Sequence, residues 1–259
     1  VLIKTGRINL IIIDIDYRMK RDDIFLSKDP NMGDFVFDET VASVFDDMIF
    51  RSVPGYASIV AMIGLLAGKY IQDNTNCYDL GASTGIASKA VLENLKAKNS
   101  SLIAVDSSKA MTELCKAKLS VFSDKNVINI VTDDICNIHI GNASMVILNL
   151  TLQFISPDSR LKLLKKIYKG MKPGGILLLS EKVKFKDKNE DMLQTELYHV
   201  FKELNGYSKL EISRKRTALE NVLVSDTIDT HIKRLKRSGF KKTYKWFQCF
   251  NFVSLLAMK

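Results

Sequence analysis

The chain has 259 residues, 46% of them hydrophobic, enough for one sizeable α/β core and too few for two equal domains of ordinary size. Lys and Arg number 38 against 29 Asp and Glu, a net charge of +9, and many of the bases follow Arg160; a solvated basic face, binding of small anions and a nucleic-acid surface all stay open. Four scattered cysteines (Cys77, Cys115, Cys136, Cys249) and three distant histidines (His139, His199, His231) argue against a disulfide framework or a metal centre, and for reduced, buried thiols in a cytoplasmic protein.

Near the start, the apolar patch Ile8 to Ile13 is too short, and too acidic behind it, for a membrane span or a signal peptide. Met19 and the polar residues after it read as a more natural beginning. Residues 1–18 are therefore expected to be a leader or disordered segment, and residues 19–259 a single domain. After a turn-rich connector from Asp29 to Asp34, Phe35 to Phe50 has helical apolar spacing at Val41, Val44, Phe45, Met48 and Ile49. Pro54-Gly55-Tyr56 then turns the chain into Ile59 to Leu66, which with Ala67 and Ile71 reads as a helix buried on most sides.

The stretch Asn76 to Ala87 reads as strand, glycine turn and helix. Gly81 and Gly85 allow a tight reversal with the backbone close to a ligand, and the N–H groups opening the helix are expected to be free for polar ligand atoms. A helix to about Lys98 and the run Leu102 to Val105 follow. Asp106 then stands 21 residues after Gly85, near the roughly 20 at which doubly wound folds place a carboxylate on a ribose. Beyond it come a helix from Ser108 to Phe122 and a strand from Val127 to Val131 ending at Asp133-Asp134. That pair is either an adenine-side acceptor or an ordinary helix cap.

Ala143 to Leu150 is a strand that brings Asn149 to the ligand edge, and Pro157 opens a helix to Gly170. Lys172-Pro173-Gly174-Gly175 is expected to separate that helix from the strand Ile176 to Ser180. Residues 182–216 read as a charged helical insertion with apolar spacing at Leu193, Leu197, Val200, Phe201 and Leu204. A helix from Ser225 or Thr227 to Ser238, stopped by Gly239, precedes two last strands, Lys245 to Asn251 and Phe252 to Ala257. The alternation predicts a Rossmann-like, doubly wound, mostly parallel sheet with a C-terminal antiparallel hairpin.

The glycine turn, Asp106 and Asp134 together resemble the class I S-adenosylmethionine-dependent methyltransferase fold. The segments Phe37 to Tyr56, Tyr78 to Gly85, Asn142 to Phe154, Asn205 to Arg216 and Trp246 to Phe252 are similar, more narrowly, to the carboxy-S-adenosyl-L-methionine synthase family. The resemblance covers nearly everything from Met19 onward. Carried over by position, it implies cofactor contacts at Tyr56, Gly81, Ala82, Ser83, Asp106, Ser107, Asp134, Ile135, Asn149 and Arg216. Ala82, Ser107 and Asp133 depart from the cysteine, asparagine and glycine common in the family.

The resemblance further implies conversion of S-adenosylmethionine and prephenate to carboxy-S-adenosylmethionine, phenylpyruvate and water, the product serving tRNA wobble-uridine modification. In that chemistry prephenate releases CO2 and hydroxide, the hydroxide takes a proton from the methyl beside the sulfonium, and the methyl carbon captures CO2. No dedicated protein base is needed. Arg216, reaching from a neighbouring subunit of a homodimer, would pair with the new carboxylate in a bidentate fork. Asn149 and Arg51 would suit substrate carboxylates. No metal, no membrane and no direct tRNA contact are expected. The competing readings are a methyltransferase acting on tRNA or a small molecule, and a basic tRNA-binding protein with a vestigial pocket.

Overall fold

The computed structural model describes residues 20–26, 34–123 and 127–259. The expected leader and most of the connector after it lie outside these. Seven strands form one sheet: β1 (Asn76–Leu80), β2 (Ser101–Asp106), β3 (Val127–Thr132), β4 (Ala143–Asn149), β5 (Met171–Lys182), β6 (Lys242–Cys249) and β7 (Phe252–Met258). Their spatial order is β3-β2-β1-β4-β5-β7-β6. The first five run parallel, while β7 pairs antiparallel with both β5 and β6. The central strand β4 is buried along six of its seven residues, as a strand covered on both faces must be.

Eight helices accompany the sheet among the described residues: α1 (Glu39–Ser52), α2 (Tyr56–Tyr70), α3 (Ile86–Asn94), α4 (Lys109–Leu119), α5 (Pro157–Gly170), α6 (Lys188–Leu204), α7 (Lys209–Leu219) and α8 (Ile228–Ser238). On one face of the sheet Ile63 of α2, Val91 of α3 and Cys115 of α4 join a core with Leu102, Met145 and Leu178. On the other, Leu164 and Ile167 of α5 and Leu235 of α8 pack with Leu80, Val146 and Leu179. α2 is less enclosed than its composition predicts, since Leu65 and Met62 reach solvent. No single helix among the described residues is long and apolar enough to cross a membrane; α1 and α2 pass that test only as a pair, and they are bent by 99°.

Three further expectations change. Pro173-Gly174-Gly175 does not separate helix from strand: β5 already pairs at Met171 and continues after a register shift opposite Ala143 and Met145, with Gly174 at φ +77° making the bulge. The insertion is two helices. Between them Gly206 turns at φ +84°, and α7 starts on a capping box in which Ser208 and Glu211 satisfy each other's backbone N–H groups. Only Cys77 and Cys115 are buried, Cys136 being exposed and Cys249 half-buried.

α6 presents Leu193, Leu197, Val200 and Leu204 to solvent, Leu204 being 83% exposed. The spacing that marks a core face in sequence marks an outward stripe in the fold.

The fully buried Arg160 of α5 joins two loops that are distant in sequence. Its guanidinium donates to the carbonyls of Ile155 (2.9 Å), Gln153 (3.2 Å) and Val224 (2.9 Å) and to Asp226 (2.6 Å). Val224 N–H returns a bond to Gln153 at 3.0 Å. Asp226, held also by Arg234, stays below the usual carboxylate range through the bonds of Arg234 and Arg160, against the effect of burial. An arginine buried without such partners would be prohibitively costly.

Candidate functional site

A cavity of about 430 Å³ opens at the carboxyl ends of β1, β2 and β4. β1 stands between β2 and β4, so the strand order reverses there, the position at which open α/β sheets collect ligands. Tyr56, Gly81, Ala82, Ser83, Asp106, Ser107, Asp134, Ile135 and Asn149 all line it. Arg216 does not: it is exposed on α7, while its neighbour Lys215 is in the lining.

The glycine turn is fastened to β2 by its own N–H groups. Gly81 and Ala82 donate their N–H groups to the Val105 carbonyl (2.8 and 2.9 Å), Ser83 donates to Asp106 (2.8 Å) and Gly85 to Ala82 (2.9 Å). Those N–H groups are therefore spent inside the fold. What the turn offers a ligand is close approach, and it needs glycine for this: Gly81 sits at φ +81°, and a Cβ there would stand 2.4 Å from Thr151.

Asp106 is held from two sides, by Ser83 and by the Ser108 N–H at 2.9 Å. Burial raises its pKa, and those two bonds oppose the rise. Asp79, under the turn, is pushed up to about 6 by burial, against the bond that Ser88 Oγ donates at 2.7 Å. Asp134 accepts from the Cys136 N–H at 2.7 Å. Tyr56 opens α2 beside Gly55 and packs edge-on against Phe50. Asn149 Oδ1 is buried with no hydrogen-bond partner. An orphaned acceptor aimed into a cavity fits a ligand donor such as an ammonium or hydroxyl.

Arg51 is already committed and does not line the cavity. It bonds Asp47 (3.0 Å) and the carbonyls of Asp22 (3.2 Å) and Asn205 (2.8 Å), and stacks 4.0 Å over the Tyr207 ring. In its place the structure brings two lysines that the sequence reading did not single out, Lys182 from the end of β5 and Lys215 from α7, with Tyr198 of α6. Lys202, 4% exposed, stands behind Tyr198. Burial, with repulsion from Lys182, Lys215 and Arg216, pulls Lys202 down to about 7. Lys215 is lowered to about 8 by burial although Asp22 counters it. The remaining walls are apolar, Phe37 packing edge-on against Phe154. No histidine or cysteine lines the cavity, and among the described residues no cluster of acids, histidines and cysteines is arranged for a metal ion.

Next to Lys182, the buried Glu181 accepts the Leu152 N–H at 2.9 Å and has its other oxygen unpartnered. Burial raises its pKa to about 8, opposed by that bond and by Arg160. A carboxyl whose folded pKa exceeds its unfolded value favours folding below the unfolded pKa, and that contribution is lost as pH rises through the folded one. Thermal melts of wild type and Glu181→Gln from pH 5 to pH 9 are expected to diverge, the variant gaining a relative stability of roughly 3–5 kcal/mol at the alkaline end. Parallel curves would mean that Glu181 is ionised throughout.

Comparison with known proteins shows what the chain is similar to. A family described as a methyltransferase domain matches residues 78–175. A carboxy-S-adenosyl-L-methionine synthase of Photorhabdus laumondii is 50% identical over 94% of this chain and 97% of its own length. One of the same name from Haemophilus ducreyi is 52% identical over 93% of this chain and 99% of its own. Among solved structures, human N-acetylserotonin methyltransferase superposes with a TM-score of 0.56 at 18% identity, over 85% of this chain and 55% of that longer one. At that identity the likeness concerns the fold.

Proposed function

The chain belongs to the carboxy-S-adenosyl-L-methionine synthase family, and on that premise we propose that this enzyme carries a carboxyl group from prephenate to the methyl carbon of S-adenosylmethionine. The observation that carries the reading is one cavity lined by nine of the ten positions carried over from the family and by lysines, with no histidine or cysteine base. When bound, S-adenosylmethionine supplies a methyl group whose protons the sulfonium makes acidic. Asp106 and Ser107 hold its ribose, and Asp134 with Ile135 its adenine. Gly81, Ala82 and Ser83 let its amino-acid end approach the backbone, while Asn149 accepts from it and Tyr56 closes the side of the pocket. The apolar walls exclude water, which keeps CO2 and the hydroxide-derived proton exchange inside the site.

We assign Arg216 to a second copy of the chain. Its exposure and the bare apolar stripe on α6 favour a homodimer in which α7 of one subunit reaches the neighbouring cavity. The product is a carboxymethyl donor for tRNA wobble-uridine modification, made in the cytoplasm without tRNA contact by this enzyme. Incubation with S-adenosylmethionine and prephenate is expected to give a cofactor heavier by one CO2, together with phenylpyruvate, as read by mass spectrometry. Methylated tRNA formed without prephenate would instead make the chain a methyltransferase.

A further inference from the structure

Two ammonium groups beside Tyr198, a residue of the cavity wall, have no counter-ion; Lys182 is itself in the lining and Lys202 stands outside it. Lys182 Nζ lies 5.0 Å and Lys202 Nζ 4.5 Å from the centroid of the Tyr198 ring. Among the described residues neither ammonium has a hydrogen bond or an ion pair. Asp191, the acid that acts electrostatically on Lys182, already accepts the Phe185 N–H at 2.7 Å. Lys215 is different, being bonded to Ser52 at 2.9 Å and paired with Asp22 at 3.6 Å. Arg216 adds a further positive charge within range of Lys182 and Lys202.

Sequestering an ammonium without a partner carries a large desolvation cost, of which a ring face returns only part. A fold that keeps two of them around one tyrosine of the cavity wall is built to receive an anion. The co-substrate in the reading above is a 2-oxo acid with two carboxylates, and they are not equivalent. The one that departs as CO2 loses its charge as the reaction proceeds, so cations bound to it would stabilise the ground state more than the transition state. The other keeps its charge throughout.

We propose that Lys182 and Lys202, set against the Tyr198 ring, form the subsite for the carboxylate that stays on the 2-oxo acid product. The assignment rests on the reaction proposed above. It leaves the departing carboxylate facing the apolar side of the cavity, where loss of charge is favoured.

The test uses Lys182→Met and Lys202→Met, which remove charge at similar length. Each is expected to raise the prephenate KM about 10- to 100-fold, the effect of losing one charge-assisted contact, and to leave the calorimetric Kd for S-adenosylmethionine unchanged. Lys202→Met should also melt at or above the wild-type temperature, because it relieves a sequestered unpaired charge. An unchanged prephenate KM in both variants overturns the subsite, as does a Lys202→Met that melts lower and weakens both substrates together. Calorimetry with prephenate on the S-adenosylmethionine complex separates the two proposals. Wild type that binds prephenate through these lysines and makes no carboxylated product retains the subsite and loses the reaction; wild type that does neither loses both.

Discussion

Arg216→Ala is expected to bind S-adenosylmethionine as wild type does and to lose about 100-fold in affinity for the carboxylated cofactor, the order of magnitude for removing a bidentate guanidinium–carboxylate pair. Competition between the two cofactors, read by calorimetry, gives the ratio directly. An unchanged ratio would remove Arg216 from the site. The same variant tests the subunit arrangement. Arg216 is exposed on α7 and lies outside the cavity of its own chain. Mixing Arg216→Ala with Asp106→Ala, each expected to bind the carboxylated cofactor weakly alone, should restore about a quarter of the wild-type number of tight sites for it, because half of the randomly mixed dimers carry one intact cavity facing an intact arginine. No restoration after mixing and refolding would mean that the arginine serves its own chain.

Gly81→Ala is expected to lower stability and cofactor affinity together. A left-handed conformation costs an L residue about 1–2 kcal/mol, and forcing a methyl group into filled space adds about 1–3 kcal/mol. Here φ is +81° and the new Cβ would meet Thr151 Cγ2 and Oγ1, both at 2.4 Å. Relief by moving Thr151 would shift the segment after β4, which carries Asn149. The melting temperature is expected to fall by about 10 °C, and the S-adenosylmethionine Kd to rise at least 10-fold by calorimetry. Adding Thr151→Ala should recover part of the stability, since it removes the two nearest atoms and leaves the backbone strain. Full recovery would put the whole effect in the overlap.

The strands and the cavity's cofactor end were legible because their determinants are local. A glycine turn at fixed spacing from Asp106, and apolar runs ended by Asp106, Asp134 and Asn149, identify the carboxyl edge of a parallel sheet before any packing is known. The lysine cluster was not legible. Lys182 ends β5, Lys202 lies in α6 and Lys215 in α7, and nothing in their spacing shows that Lys182 and Lys202 both approach the Tyr198 ring. Arg51 misled because charge and position said nothing of Asp47, Asn205 and Tyr207, which already engage it. The exposure of the stripe on α6 was not legible for a related reason: helical periodicity gives a face, and only the surrounding elements decide whether it meets the core or solvent. The engagement of the turn's own N–H groups was not legible either, because it depends on β2 offering the Val105 carbonyl and the Asp106 carboxylate at the same edge.

The Arg160 guanidinium has a consequence for traffic through the site. It fastens the segment carrying Gln153 and Ile155 to the segment around Val224, both of which border the cavity, and it does so from inside the core. Swinging that wall outward would break four hydrogen bonds and strand a buried cation, a penalty comparable with unfolding the domain. The wall is a keystone arch with no hinge. Entry and exit of substrates therefore fall to a part of the rim that this guanidinium does not hold.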